Sequence, residues 1–127
     1  MVELAIVVTL LVTLALGVTD FAHCVGQYIQ VVNAANAGAQ FASEGTANSQ
    51  NTAGIKSAAQ ADLGSLYPAP GASISVATGD DGTGENMKEA TVTVVIPYHI
   101  TAPFAGTFLP TINLSSSATM RVNPFNP

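Results

Sequence analysis

The longest apolar stretch of the chain lies at its beginning. No charged residue occurs from Leu4 to Thr19, and the stretch is bounded by Glu3 and Asp20. Met1 and Val2 lengthen it, and a helix continuing past Asp20 would supply the roughly 20 residues that a bilayer core requires. A secretory signal would show cationic residues before its apolar core and a small-residue cleavage site after it. Here Glu3 precedes the core, and the helical pattern runs on after it. The pattern therefore predicts a retained transmembrane helix.

Helical periodicity continues beyond Asp20. Apolar residues recur there at alternating spacings of four and three, the period of one helical face. These residues are Phe21, Val25, Tyr28, Val32, Ala35, Ala39 and Ala42. The pattern predicts one helix that reaches about Ser43, with its second half outside the membrane. Small residues crowd that half and would let another backbone approach closely.

The period changes in the rest of the chain. Residues 51–66 have near-helical spacing and predict a short second helix. Alternation of period two predicts strands at 73–77, 91–96 and 112–122. The Gly-rich acidic stretch 79–86 between the first two strands predicts an exposed loop.

These elements define an α+β fold with two parts. A long hydrophobic N-terminal helix forms a rod, and a short helix with a small three-stranded antiparallel sheet forms a head. The third strand places Ile112, Leu114 and Val122 on one face, which must be covered. The long helix and the second helix are the available cover. We assign 1–47 to the transmembrane or filament-core helix and 48–127 to the head.

Composition and charge narrow the classes of function. The chain is 48% hydrophobic and only 9% charged, whereas soluble domains carry about 25% charged residues. Its net charge is −5, and its cations are the widely spaced Lys56, Lys88 and Arg121. Such a chain lacks the basic patch that a phosphate backbone requires, so we expect no nucleic-acid partner.

The charge at the start of the apolar stretch has two interpretations. An unpaired carboxylate at Glu3 would be costly to bury in an apolar surrounding. One interpretation pairs Glu3 with the α-amino group of Met1 in a neighbouring, displaced subunit, which would set a stagger during assembly. The other places Glu3 at headgroup level, where it stabilises the helix N-terminus by up to about 1 kcal/mol.

The remaining polar residues form no recognisable active site. The chain has no GxSxG context, no P-loop and no framed carboxylate pair, so we predict neither an enzyme nor a bound cofactor or metal. Asp20, His23 and Cys24 share a helix face and could hold a metal between subunits, but ordinary packing is favoured. Asn113 begins a glycosylation sequon that includes Ser115, although polar strand residues facing water are the favoured interpretation.

Several segments resemble the TadE-like pilins of the type IV (tight adherence) pilus superfamily. That family shows a VEFA-like start, a GxxEF-like step and an AAxxGAxxAA-like stretch of small residues. The comparable segments here are VELA at 2–5, LGVTDFA at 16–22 and NAANAGAQFAS at 33–43, with weaker similarity at 91–110 and 118–122.

The resemblance implies the maturation and the location of the chain. In the family, a prepilin peptidase removes a short cationic leader after a glycine, so the resemblance implies that Met1 is a mature N-terminus. The superfamily usually places its glutamate at the fifth mature position, whereas Glu3 is third, so either the processing differs or the true start lies elsewhere. The implied location is the inner (cytoplasmic) membrane before assembly and an extracellular filament afterwards.

We therefore hypothesise a structural pilin subunit that polymerises with identical copies, assisted by the prepilin peptidase and the pilus assembly machinery. Two alternatives stay open: a minor pseudopilin that primes or caps another filament, and a membrane-anchored module that binds surfaces. The expected assembly residues are Met1, Glu3, Leu4, Val7, Leu11, Leu14, Val18, Asp20, Phe21, Val25, Tyr28, Val32 and Ala35.

Overall fold

The structure, a computed structural model, describes residues 2–80, 88–100 and 111–125. In these residues the chain forms a long helix, two shorter helices with a 3₁₀ turn, and a three-stranded antiparallel sheet. The bounds are α1 Val2–Ser43, α2 Thr46–Gln50, α3 Thr52–Leu63, the 3₁₀ turn Gly64–Leu66, β1 Ser73–Asp80, β2 Lys88–Tyr98 and β3 Ile112–Arg121. The predicted α+β class is confirmed.

Helix α1 runs without interruption for 42 residues, or about 63 Å at roughly 1.5 Å per residue. Threonine hydroxyls in its apolar half form hydrogen bonds within the helix. The Thr9 hydroxyl donates to the Ala5 carbonyl at 2.8 Å, and the Thr13 hydroxyl donates to the Thr9 carbonyl at 2.9 Å. This local bonding lets hydroxyls occupy apolar surroundings at low cost. The helix ends at Ser43, two residues before Gly45, as the sequence predicts.

The sheet has the order β1-β2-β3, and each neighbouring pair is antiparallel. Alternate residues of β2, among them Val92, Val94 and Ile96, are buried, which confirms the period-two pattern. The predicted loop is wrong at its first two residues, because β1 continues through Gly79 and Asp80, which pair with Glu89 and Lys88. The rest of that predicted loop, 81–86, lies outside the described residues.

The core lies between the sheet and a layer formed by α1 and α3. Helix α3 contributes Ile55, Ala59 and Leu63, and the second half of α1 contributes Val31 and a series of small residues. Gly38 lies where these elements meet: a Cβ added there would be 3.1 Å from Val92 Cγ1 and 3.4 Å from Ala59 Cβ. Small residues on α1 therefore allow the close approach that the sequence predicts, here within one subunit.

The head covers only part of the predicted helical face of α1. Ala35, Ala39 and Ala42 are buried. Phe21 and Tyr28, predicted on the same face, are 70% and 46% exposed. The head instead meets the neighbouring face, where Asp20, Cys24 and Val31 are buried or half-buried. The reason is a polar contact with β2, described below, that helical periodicity cannot reveal. Ile112, expected on the packed side of β3, is likewise exposed because it begins the strand.

The strands lie along α1 and do not cross it. At one end of β2, Tyr98 bonds Asp20. At the other end, Val122 donates to the Lys88 carbonyl, and the next residue, Asn123, donates to the Ser43 carbonyl. Strand β2 spans about 34 Å at roughly 3.4 Å per residue, and α1 rises about 35 Å from Asp20 to Ser43. Thus β2 runs antiparallel to α1, and β1 and β3 run parallel to it.

Candidate assembly surface and its junction with the head

The first half of α1 is an exposed apolar rod. Every described side chain from Val2 to Thr19 is exposed, and this part of the helix contains a window of mean hydropathy 2.3. Among the described residues, α1 is the one helix long and apolar enough to cross a membrane. Such a segment needs a lipid or protein environment, and α1 therefore indicates membrane anchoring.

The predicted assembly residues in this half form a single stripe. They are between 52% and 67% exposed, and their spacings of three and four place them on one helical face. The residues are Leu4, Val7, Leu11, Leu14 and Val18. Glu3 is exposed in the first turn of α1. Met1 lies outside the described residues, so the pairing of its amine with Glu3 stays a prediction.

This half of α1 also carries a groove of small residues that the sequence analysis does not predict. Ala5, Thr9 and Thr13 lie along a shallow groove whose walls include Ile6 and Leu10. Gly17 follows at the same spacing of four, and a Cβ added there would meet nothing within 4 Å. Small residues repeated every four positions let helices approach closely in membranes. This spacing is the signal that could have located the groove from the sequence.

Beyond Thr19 the assembly residues divide into two groups. Phe21, Val25 and Tyr28 continue the exposed surface, and Val32 is half-buried. Asp20 and Ala35 are buried against the head of the same subunit. In this structure their side chains therefore stabilise the subunit itself, and their role between subunits remains a prediction.

The junction between the rod and the head is a hydrogen-bonded pair. The Tyr98 hydroxyl donates to Asp20, with its oxygen 2.7 Å from Oδ1 and 2.9 Å from the backbone carbonyl oxygen. Tyr98 is 5% exposed and Asp20 is 9% exposed. The hydrogen bond to Asp20, followed by burial and by the negative charge of Asp20, raises the pKa of Tyr98 to about 12. Tyr98 therefore stays a neutral donor over the physiological range.

The sequence pattern does not predict this pair. It marks Asp20 as the end of the apolar stretch and as one of three residues that could share a metal. In the structure its carboxylate accepts from Tyr98, His23 is exposed and Cys24 is half-buried. In the described part of the chain, no group of three His, Cys, Asp or Glu side chains is placed to hold a metal. Tyr98, two residues after Ile96, continues the buried alternation of β2 and could have been recognised from it.

The outer face of the sheet is polar. Hydroxyls pair across its strands, as between Thr91 and Thr119 at 2.8 Å and between Thr93 and Ser117 at 3.0 Å. Asn113 and Ser115 are exposed on this face of β3. Both are accessible as glycosylation candidates, and that modification stays a prediction.

These features describe a class of protein: a membrane-anchored α+β protein in which one continuous helix supplies both the apolar rod and one layer of the head. The family model described as TadE-like protein matches residues 1–40, the part of α1 that carries the rod and most of its contact with the head. This match shows that the first third of the chain is similar to the TadE-like family. No curated protein and no solved structure matches the chain.

Proposed function

We propose that this chain is a structural pilin subunit that polymerises through α1 into an extracellular, type IV-like filament of the Tad kind. The observation that carries the proposal is the exposed apolar surface from Val2 to Thr19, which lies directly below a head that covers the same helix from Asp20 onward. Such a shape buries its apolar half only in lipid or against other helices.

The groove and the stripe on α1 suit packing between copies of the helix. The stripe that includes Leu11 and the groove that includes Thr9 and Thr13 lie on the same rod, so large side chains of one copy can fill the groove of another. Transfer from water would contribute about 25 cal/mol per Å² of apolar area buried. Lipid supplies that gain already, so packing in the groove must favour the filament over the membrane.

The second half of α1, which packs beside the head, supports the same function. Phe21, Val25 and Tyr28 stay exposed although they lie beside the head, and the part of α1 from Phe21 to Ser43 carries no acidic or basic residue other than His23. A neutral helix can pack beside copies of itself without like-charge repulsion. We infer that the helices lie centrally in the filament and that the heads lie outside.

The proposal includes a sequence of locations and partners. The chain is held in the inner membrane by α1, a prepilin peptidase matures it, and the pilus assembly machinery transfers it into the filament. The partners in the filament are identical subunits. Surface adhesion and a link to secretion are roles that such a filament would serve.

Two other roles use the same features. A minor pseudopilin would pack its α1 against a different subunit to prime or cap that filament. An anchored binding module would keep α1 in lipid and present the outer face of the sheet. The exposed Phe21, Val25 and Tyr28 favour assembly over simple anchoring, because an isolated anchor has no need of an apolar surface above the membrane.

Fractionation of variant cells tests the proposal. Leu11→Ala and Thr9→Leu alter the stripe and the groove while keeping the segment apolar, and Ser57→Ala on the exposed side of α3 is the control. We expect both helix variants to lower the yield of sheared filaments containing this chain while its level in the membrane stays unchanged. Unchanged filament yield in both variants would contradict assembly through this surface.

A further inference from the structure

In the part of the chain that the structure describes, the sheet of the head has two open edges. In the order β1-β2-β3, β2 alone of these three strands has a strand on both sides. Val122 donates to the Lys88 carbonyl, so the backbone groups of even-numbered residues in β3 face β2. The odd-numbered residues, including Asn113, Ser115 and Ser117, direct their N–H and C=O groups away from the sheet. Among the described residues these groups have no backbone partner.

Within residues 2–80, 88–100 and 111–125, the open edge of β3 lacks the usual protection against strand pairing. Native edges are commonly blocked by lysine, proline, bulges or short length. Strand β3 is 10 residues long and contains no lysine, no proline and no charge before Arg121. The edge of β1 is also uncharged from Ser73 to Gly79. Both edges can therefore accept a further strand.

Membrane anchoring restricts which partner strand can come from a second copy. Because the strands lie along α1, a two-fold axis pairing β3 with another β3 would point the two α1 helices in opposite directions. Two copies anchored in one membrane point the same way. A copy displaced sideways in that orientation brings its β1 to the open edge of β3, and β1 and β3 run in the same direction. The contact is heterologous, and such a contact builds a helical filament when its rotation does not close a ring.

The two edges also end at the same height. Strand β1 ends at Asp80, and β3 ends at Arg121. Through β2, Gly79 and Arg121 are both opposite Glu89. A neighbour displaced sideways at the same level would therefore place its β1 beside β3 along most of their length.

We propose that neighbouring heads in the filament join edge to edge, with β1 of one copy adding in parallel to β3 of the next. This inference rests on the proposed polymerisation and adds a second interface to it. Side chains of odd-numbered residues in β1 and β3 then share the outer face. Ser117 faces Ser75 of the neighbour if the copies are level, and it faces Ser73 or Ala77 if they are staggered by about 7 Å.

Cysteine cross-linking in intact filaments tests the pairing. On a Cys24→Ala background, Ser117→Cys is combined in turn with Ser73→Cys, Ser75→Cys and Ala77→Cys, all at exposed positions. Within one subunit Ser75 and Ser117 flank β2, about 10 Å apart and beyond the reach of a disulfide. Paired strands of neighbouring copies would lie about 5 Å apart, which a disulfide can span.

We expect at least one pair to give a ladder of covalent dimers, trimers and larger species on oxidation, while each single variant and the control pair Ser117→Cys with Ser57→Cys remain monomeric. Adding Ser115→Pro should reduce the ladder, because it removes an outward N–H without breaking a bond to β2. Ser115→Val keeps that N–H and should preserve the ladder.

The other outcomes overturn the inference in distinguishable ways. Dimers from Ser117→Cys alone would mean that β3 pairs with β3. Intact filaments without cross-links from any pair would mean that the heads do not join at their edges, while the polymerisation through α1 stands. If neither the unmodified chain nor the Cys24→Ala background chain forms filaments, both the proposed function and this inference are wrong.

Discussion

The Tyr98 hydroxyl donates to both the carboxylate and the backbone carbonyl of Asp20, across a separation of 78 residues in the chain. Asp20 immediately follows the exposed apolar half of α1, and Tyr98 is the last residue of β2. The pair therefore attaches one end of the sheet to α1 at the point where the exposed apolar half of the helix ends. Asn123 attaches the other end through the Ser43 carbonyl.

Removing the Tyr98 hydroxyl should destabilise the head. Tyr98→Phe leaves the buried Asp20 carboxylate without this donor, a loss of about 1–3 kcal/mol. Denaturant unfolding of the detergent-solubilised chain measures the change. Tyr28→Phe is the matched control, because Tyr28 is 46% exposed, and its effect should stay within about 0.5 kcal/mol. Equal effects of the two variants would show that the Asp20 bond contributes nothing to stability.

Stability should also fall at high pH through the same group. The pKa of Tyr98 is raised from 10.0 to about 12, so the neutral form is favoured in the folded chain. The stabilisation is complete below pH 10 and is lost as the pH rises toward 12. Asp20→Asn should lower the Tyr98 pKa, because the amide is a weaker acceptor and carries no charge. Ultraviolet titration of tyrosinate measures the Tyr98 pKa in the unmodified chain and in Asp20→Asn, and Tyr98→Phe identifies which part of the signal belongs to Tyr98. If Asp20→Asn leaves the Tyr98 pKa unchanged, the shift comes from burial alone.

Gly38 should tolerate no large side chain. Its Cβ position is 3.1 Å from Val92 Cγ1, and Val92 is fully buried, so Gly38→Leu forces the sheet away from α1. We expect the free energy of unfolding to fall by about 1–3 kcal/mol. Gly26→Leu is the control, since a Cβ there meets nothing within 4 Å and leucine is the better helix former. A stable Gly38→Leu variant would mean that α1 and the sheet are not closely packed there.

Glu3→Gln separates the two interpretations of the N-terminal carboxylate. If Glu3 pairs with the amine of a neighbouring subunit, the variant should accumulate in the membrane and form few or no filaments. If Glu3 lies at headgroup level, filament yield should be unchanged. Counting sheared filaments against the membrane-bound chain distinguishes the two, and Glu3→Asp, which keeps the charge, serves as the control.

Much of this fold follows from sequence periodicity. The apolar run and its helical continuation predict α1 to its last residue, and alternation around Val92 and Val94 predicts β2 and its buried face. These patterns succeed because each depends on residues close in sequence. The strand limits are less accurate: β1 continues to Asp80 because Gly79 and Asp80 find partners in Glu89 and Lys88.

The orientation of α1 against the head could not be predicted in the same way. Phe21, Val25 and Tyr28 have the same helical spacing as the buried Ala35, Ala39 and Ala42, so periodicity alone does not tell which of these residues the head covers. The choice of face depends on Tyr98, which reaches Asp20 only after β2 has folded along α1. Contacts between distant segments decide such choices, and a single sequence does not display them.

Electron cryo-microscopy of filaments sheared from the producing cells tests whether this chain is the filament subunit. We expect a side-chain-resolved map built from this sequence alone, with α1 bundled centrally, the heads outside, and the groove at Thr9 and Thr13 filled by a neighbouring helix. A filament built from another sequence, with this chain found only in the membrane fraction or at filament tips, would contradict this expectation.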